Sequence, residues 1–267
     1  MPTILLVNDD GVTSPLLAPL ARRLAEIAEL RLAVPLHERS WTGKSMTRHG
    51  LVRAHRLDER SYPELAGLNG YAIEGTPADC TNLGIHELFE SPPDWVISGI
   101  NIGVNAGLNF IVNSGTVGAA FEASLTGVPA AAFSAHMIRP VYDEWLRTGQ
   151  FTDPEVLALV EAAAVRATRM TGALMEKGLP AGATVVNVNF PYRLREDTPV
   201  RWVPVLDNRY GSLFERDGEG FRHAYAGDSW RDESVPADKT VVEGGEISAT
   251  ALSLGRISVP ADGPAPF

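Results

Sequence analysis

The sequence predicts an α/β protein: a Rossmann-like, doubly wound, mostly parallel sheet with a β-rich C-terminal extension. Two observations point there. Short apolar, β-branched runs alternate with stretches whose apolar residues recur at helical spacing. Polar clusters of Asn, Asp, Ser and Gly follow several of those runs at once, where the ligand loops of such a sheet lie. After Pro191 the texture changes to Arg, Asp, Glu and Gly with scattered aromatic residues. Residues 1–191 therefore read as the core, and residues 192–267 as a protruding β-hairpin and tail extension.

Thr3 to Val7 is apolar throughout, as a strand buried on both faces must be. Ser14-Pro15 reads as an N-cap followed by proline at the first helical position, where its missing N–H costs nothing. Leu17, Leu20, Leu24 and Ile27 then follow at helical spacing. Leu30 to Val34 alternates as a second strand and stops at Pro35. A polar loop, His37 to Thr47, precedes a less regular β stretch through Leu51 to Ile73. Thr76-Pro77-Ala78-Asp79 repeats the cap-and-proline device with an acid in the first turn, and its helix runs to about Phe89. Asp94 to Ser98 is a strand that opens into a long Gly/Asn loop, Gly99 to Ser114. Thr116 to Leu125 is a helix of small residues, and Ala130 to Ser134 is another strand. Asp153-Pro154 caps an alanine-rich helix ending near Lys177, and Thr184 to Val188 forms a further strand. The last residues, VPADGPAPF, read as a loose tail.

A formal net charge of −10 excludes an extended nucleic-acid polymer as partner, because backbone binding needs a basic stripe. A mononucleotide is different, since one metal ion and a few donors neutralise a single phosphate locally. The lone cysteine, Cys80, supplies neither an internal disulfide nor a thiolate cage. The N-terminus, MPTILLVNDDG, lacks a basic n-region, and its apolar run is too short for a secretory or membrane segment. The expectation is a cytoplasmic protein without a membrane partner.

Three polar clusters fall at strand ends: Asn8-Asp9-Asp10-Gly11, Glu38-Arg39-Ser40 with Gly43-Lys44-Ser45, and Ser98-Gly99-Ile100-Asn101 continuing to Asn113-Ser114-Gly115-Thr116. Each alone is an ordinary turn or cap signal; their convergence on one crevice is what points to a site. The carboxylates of Asp9 and Asp10, the Ser40 hydroxyl and the Asn101 amide oxygen are hard donors that suit Mg²⁺, Mn²⁺ or Ca²⁺. The backbone N–H groups around Ser114, Gly115 and Thr116, at a helix start, suit phosphate oxygens. The six histidines are scattered without zinc-ligand spacing. Competing motifs fail on the letters. Glu38 stands where a Walker A glycine belongs before Gly43-Lys44-Ser45, and no G-x-G-x-x-G follows the first strand. Val96 and Val112 stand two residues before Ser98 and Ser114, so neither is a nucleophile elbow. An aspartyl-nucleophile D-x-D pattern finds an amide, Asn8, in the nucleophile's place.

ILLVNDDG, ERSWTGKSMT, EGTPADC, SGINIGVN and NSGTVGAA, in this order, resemble the signature segments of the SurE family (survival protein E). The resemblance covers roughly residues 1–190 closely and the remainder loosely. It implies a Rossmann-like fold and metal-dependent hydrolysis of nucleoside 5′- or 3′-monophosphates. It also implies one divalent cation per subunit, Mg²⁺ or Mn²⁺, held by Asp9, Asp10, Ser40 and Asn101; with that arrangement in-line hydrolysis is expected, Asp9 or Asp10 helping to deprotonate the attacking water. Ser114, Gly115 and Thr116 carry over as the phosphate-contacting segment. A homodimer or homotetramer held partly by the C-terminal hairpin and tail is implied as well. Exopolyphosphatase or broad phosphomonoesterase activity, and a non-catalytic nucleotide-binding module, remain alternatives. Three positions depart from the family pattern: Leu36 in place of an acid, Trp41 in place of a small residue, and Gly245 to Leu252 in place of a Gly-Tyr-Val-Ser-x-Thr-Pro-Leu type segment.

Overall fold

The computed structural model describes residues 1–256, so the expected loose tail, Val259 to Phe267, lies outside the described residues. The first half runs β1 (Thr3–Val7), α1 (Leu17–Leu24), β2 (Glu29–Pro35), β3 (Ala54–Arg56), β4 (Asn69–Ile73), α2 (Pro77–His86), β5 (Trp95–Ile102), α3 (Leu108–Asn113) and α4 (Gly115–Leu125). It continues with β6 (Ala130–Ala135), α5 (Arg139–Thr148), α6 (Pro154–Lys177) and β7 (Val185–Phe190). Beyond these come β8 (Val200–Trp202), β9 (Asn208–Tyr210), β10 (Phe214–Asp217), β11 (Gly220–His223), β12 (Asp228–Arg231), α7 (Asp238–Glu243) and β13 (Ile247–Leu252).

One sheet of nine strands, in the order β3-β4-β2-β1-β5-β6-β7-β13-β8, organises the chain. The six from β4 to β7 in that order are mutually parallel. Pleating sends successive side chains to opposite faces, and the two faces feed two layers. Ile4, Leu6, Leu32, Val34, Ile97 and Phe133 pack with α1 and α6 on one side. Leu5, Val7, Ala33, Ile73, Val96 and Ala132 pack with α2 and α4 on the other. The α/β class read from the sequence is borne out.

Several elements differ from their expected form, each for a local reason. Helix α1 starts at Leu17 and not behind Ser14, whose carbonyl accepts from Leu17 N–H in a turn. Val12 N–H donates to Pro35 O (2.9 Å), which pins this stretch to the end of β2 before the helix begins. Strand β2 does not alternate between buried and exposed, because helices cover both faces. Helix α2 ends at His86, short of Phe89. The Gly99 to Ser114 stretch is not one loop. Strand β5 continues to Ile102, with both Ile100 and Ile102 buried, and α3 follows Gly107. Helix α5, which is not among the expected elements, buries Val141 and Trp145, four residues apart on one face.

The chain beyond Pro191 does not all stand apart from the sheet. Strand β13 pairs antiparallel with β7 and parallel with β8, adding two strands to the core layer. Between them, β10 and β11 form a two-stranded hairpin and β9 pairs with β12, two small sheets separate from the main one.

Candidate active site

Strand β1 lies between β2 and β5, so the sheet changes direction of winding at its carboxyl end. Asp9 and Asp10 leave β1 there, both buried. Asn8 Nδ2 donates to Gly11 O (2.9 Å) and closes their turn. Gly11 has φ +86°, and a Cβ there would lie 3.0 Å from the His37 carbonyl carbon. The turn thus lies flat against the second loop, and Arg39 N–H donates to Asp9 O (2.7 Å). This bond ties the second loop to the acid turn; the next residue, Ser40, is half-buried, and its N–H donates to Glu38 Oε1 (2.7 Å).

Asn101 arrives through a distortion of β5. The pairing with β6 slips between Ser98 and Asn101, and Gly99 sits at φ +122°, where any Cβ would strike Phe133 O. A bulge of this kind re-aims the side chains that follow it. Ile102 N–H then donates to Asp10 Oδ2 (2.9 Å), so the bulged strand is bonded to the second acid. Asn101 Nδ2 donates to Gly103 O (2.9 Å), which commits the nitrogen and leaves the amide oxygen as the available donor atom.

The third wall is the start of α4. Ser114 caps it, its Oγ accepting from Val117 N–H (3.0 Å). Thr116 Oγ1 donates to Asp9 Oδ1 (2.6 Å), and the Thr116 backbone N–H also faces that carboxylate. Gly115 approaches so closely that a Cβ would fall 2.8 Å from Asp9 Cβ and 3.1 Å from Arg39 O. As the first residue of the helix, its N–H has no intrahelical acceptor and is free for an anion.

Backbone and side-chain hydrogen bonds thus tie the second loop, the bulged strand β5 and the start of α4 to the Asp9-Asp10 turn. The electrostatics there are unbalanced. Burial pushes Asp9 up to about 6 against the hydrogen bonds from Thr116, and burial followed by the charge of Asp9 pushes Asp10 well above the usual carboxylate range. Among the described residues neither acid pairs with a basic side chain. Asp10 Oδ1 is buried without any hydrogen-bond partner. Two adjacent buried carboxylates, one with an orphaned oxygen, fit a hard divalent cation. No group of three or more His, Cys, Asp or Glu forms a metal cluster among the described residues, so the set has only two anionic ligands.

Sequence reasoning missed the support behind Asp9. Asn105 Nδ2 donates to Thr116 Oγ1 (3.3 Å) and Ser134 Oγ (2.9 Å), while its backbone is held by Asn187 and Asn189. The signal was present: in Val-Val-Asn-Val-Asn-Phe, two amides share one face of a fully buried strand. The Gly43-Lys44 pair, by contrast, faces away from phosphate chemistry, because Lys44 Nζ pairs with the buried Glu122 at 2.6 Å.

Residues 4–212 match the family model described as survival protein SurE. The chain belongs to the SurE family. Its SurE relatives include the 5′-nucleotidase SurE of Methanosarcina mazei, 31% identical over 95% of this chain and 92% of that protein. The 5′-nucleotidase SurE of Geotalea daltonii is 39% identical over 94% of this chain and 92% of its own. The crystal structure of the SurE protein from Aquifex aeolicus superposes with a TM-score of 0.72 at 29% identity, over 95% of this chain and 94% of that one.

Proposed function

We propose that this SurE-family chain hydrolyses nucleoside 5′- or 3′-monophosphates to nucleoside and phosphate, with one Mg²⁺ or Mn²⁺ per subunit. The observation that carries the reading is the buried acid pair with its unpartnered Asp10 oxygen, set against the free N–H at the start of α4. The activity named for its relatives is the one such a site serves.

Asp9, Asp10, Ser40 and Asn101 would hold the cation. When bound it supplies charge neutralisation at the phosphoryl oxygens and acidifies water. The protein's own part is positioning. Gly115 N–H, at the positive end of α4, takes a phosphate oxygen. Asp9, locked by Thr116, orients the attacking water and accepts its proton. The water oxygen bonds to phosphorus as the ester bond breaks, and the departing sugar oxygen takes a proton from solvent. Sequence position favours an oligomer built through β10 and β11, where Phe214 and Phe221 lie exposed. Among the described residues no helix is long and apolar enough to cross a membrane, and the single buried cysteine suits a cytoplasmic setting.

The test is phosphate release from nucleoside 5′- and 3′-monophosphates and from polyphosphate, first with chelator and then with Mg²⁺ or Mn²⁺ restored. Release from monophosphates is expected to vanish and return with the metal. The Asp10→Asn variant should lose at least about a hundredfold in kcat/KM. Full activity of that variant at ordinary metal levels would overturn the assignment.

A further inference from the structure

Trp41 follows Ser40 directly and has φ +60°, a left-handed backbone that bulky residues rarely adopt. Its ring lies 4.8 Å from His223, 5.6 Å from Phe110 and 6.2 Å from Tyr225. Phe110 and Tyr225 meet edge-on at 5.1 Å. These rings come from the second loop, from α3 and from the end of the β10–β11 hairpin. Trp41, Phe110 and Tyr225 belong to neither layer of the hydrophobic core.

The group is braced on one side. Tyr225 Oη donates to Asp228 Oδ1 (2.9 Å), Lys239 Nζ pairs with Asp228, and the same Nζ lies 4.7 Å over the Phe110 ring. Phe110 and Tyr225 are thereby pinned, whereas Trp41 keeps 37% of its surface exposed and His223 is exposed too. A partly open aromatic surface is thus carried by the residue next in sequence to a proposed cation ligand.

We propose that Trp41, supported by Phe110, His223 and Tyr225, is the surface on which the substrate's nucleobase stacks, and that it favours purine over pyrimidine monophosphates. This rests on the nucleotidase reading, which puts the phosphate beside Ser40 and leaves the base one sugar away. Stacking requires only a π-face, and the larger purine face gains more from it. A stacking face reads no hydrogen-bonding pattern on the base edge, so the preference separates base sizes and not individual purines.

The experiment compares wild type with Trp41→Gly, which suits the local φ, and with Trp41→Phe. Each is assayed on AMP, CMP and ribose 5-phosphate under one metal condition. In W41G the ratio of kcat/KM for AMP to that for ribose 5-phosphate should fall about tenfold, mainly through KM. The AMP-to-CMP ratio should shrink toward one, and W41F should recover much of both. Adenosine should quench tryptophan fluorescence in wild type and not in W41F. Equal losses on AMP and ribose 5-phosphate would show that Trp41 merely holds Ser40 in place, and unchanged ratios would show it idle; either overturns the inference. A wild type that releases no phosphate from any substrate defeats the nucleotidase reading instead, and adenosine quenching then still decides whether a base stacks on Trp41.

Discussion

A threonine hydroxyl donates to Asp9 Oδ1 at 2.6 Å and restrains that carboxylate, and Asn105 in turn donates to the hydroxyl. Removing the hydroxyl while keeping the shape, Thr116→Val, should lower kcat or metal affinity about 10- to 100-fold. Thr116→Ser should retain most of the activity, and thermal unfolding should move little in either variant. The same acids carry a pH signature in the metal-free protein. A carboxylate raised on folding binds its proton more tightly folded than unfolded, so stability rises as pH falls from neutrality through about 6 toward the ordinary carboxylate value. The chelated protein should accordingly lose a destabilising contribution between about pH 7.5 and about pH 5, and that contribution should shrink in Asp10→Asn. Differential melting of wild type and variant at the two pH values measures it; a pH-independent difference would refute it.

The second loop shows how an element without regular structure is made rigid. Gly43 N–H donates to Asn113 O, Lys44 pairs with Glu122, and Thr47 binds Asp79 through both its N–H and hydroxyl. Asp79 is also the third residue of the capping box that starts α2. Lys44→Met leaves Glu122 buried with only Asn82, and should cost about 2 kcal/mol, a buried-pair value discounted for the partial exposure of Lys44. Urea unfolding reads that cost, and the metal concentration for half-maximal activity should rise because Ser40 rides on this loop. The box at Thr76 and the long helix behind Asp153 are legible in the sequence, since both depend on neighbours two or three residues apart. The acid pair and the Ser40 loop are legible because they follow strands, and the Ser114 turn because Ser-Gly-Thr is a cap signal before a helix. The continuation of β5 is not, because its Gly and Asn residues signal a loop while the burial of Ile100 and Ile102 depends on packing. Nor is Asn105, whose partners in β7 lie more than eighty residues away.

At the scale of the molecule, the ligand loops sit on the central strands and the later chain builds outward from β7. The outer part exposes Phe214, Phe221 and Trp230 on short strands that the sheet does not cover. If those strands join subunits, Phe221→Glu should reduce the oligomer's mass in sedimentation while leaving the unfolding midpoint of the core within about 1 kcal/mol in free-energy terms. An unchanged mass would remove this face from the assembly. The place of β13 has a separate consequence for how the protein is made. Every group of the candidate site belongs to residues 9–116, and those segments leave the ribosome early. Strand β7 must then wait for more than fifty further residues before the six of β13 arrive to cover its bare edge. A translational pause within that interval leaves a shaped catalytic half with an unpaired strand, open to the same strand of a neighbouring nascent chain.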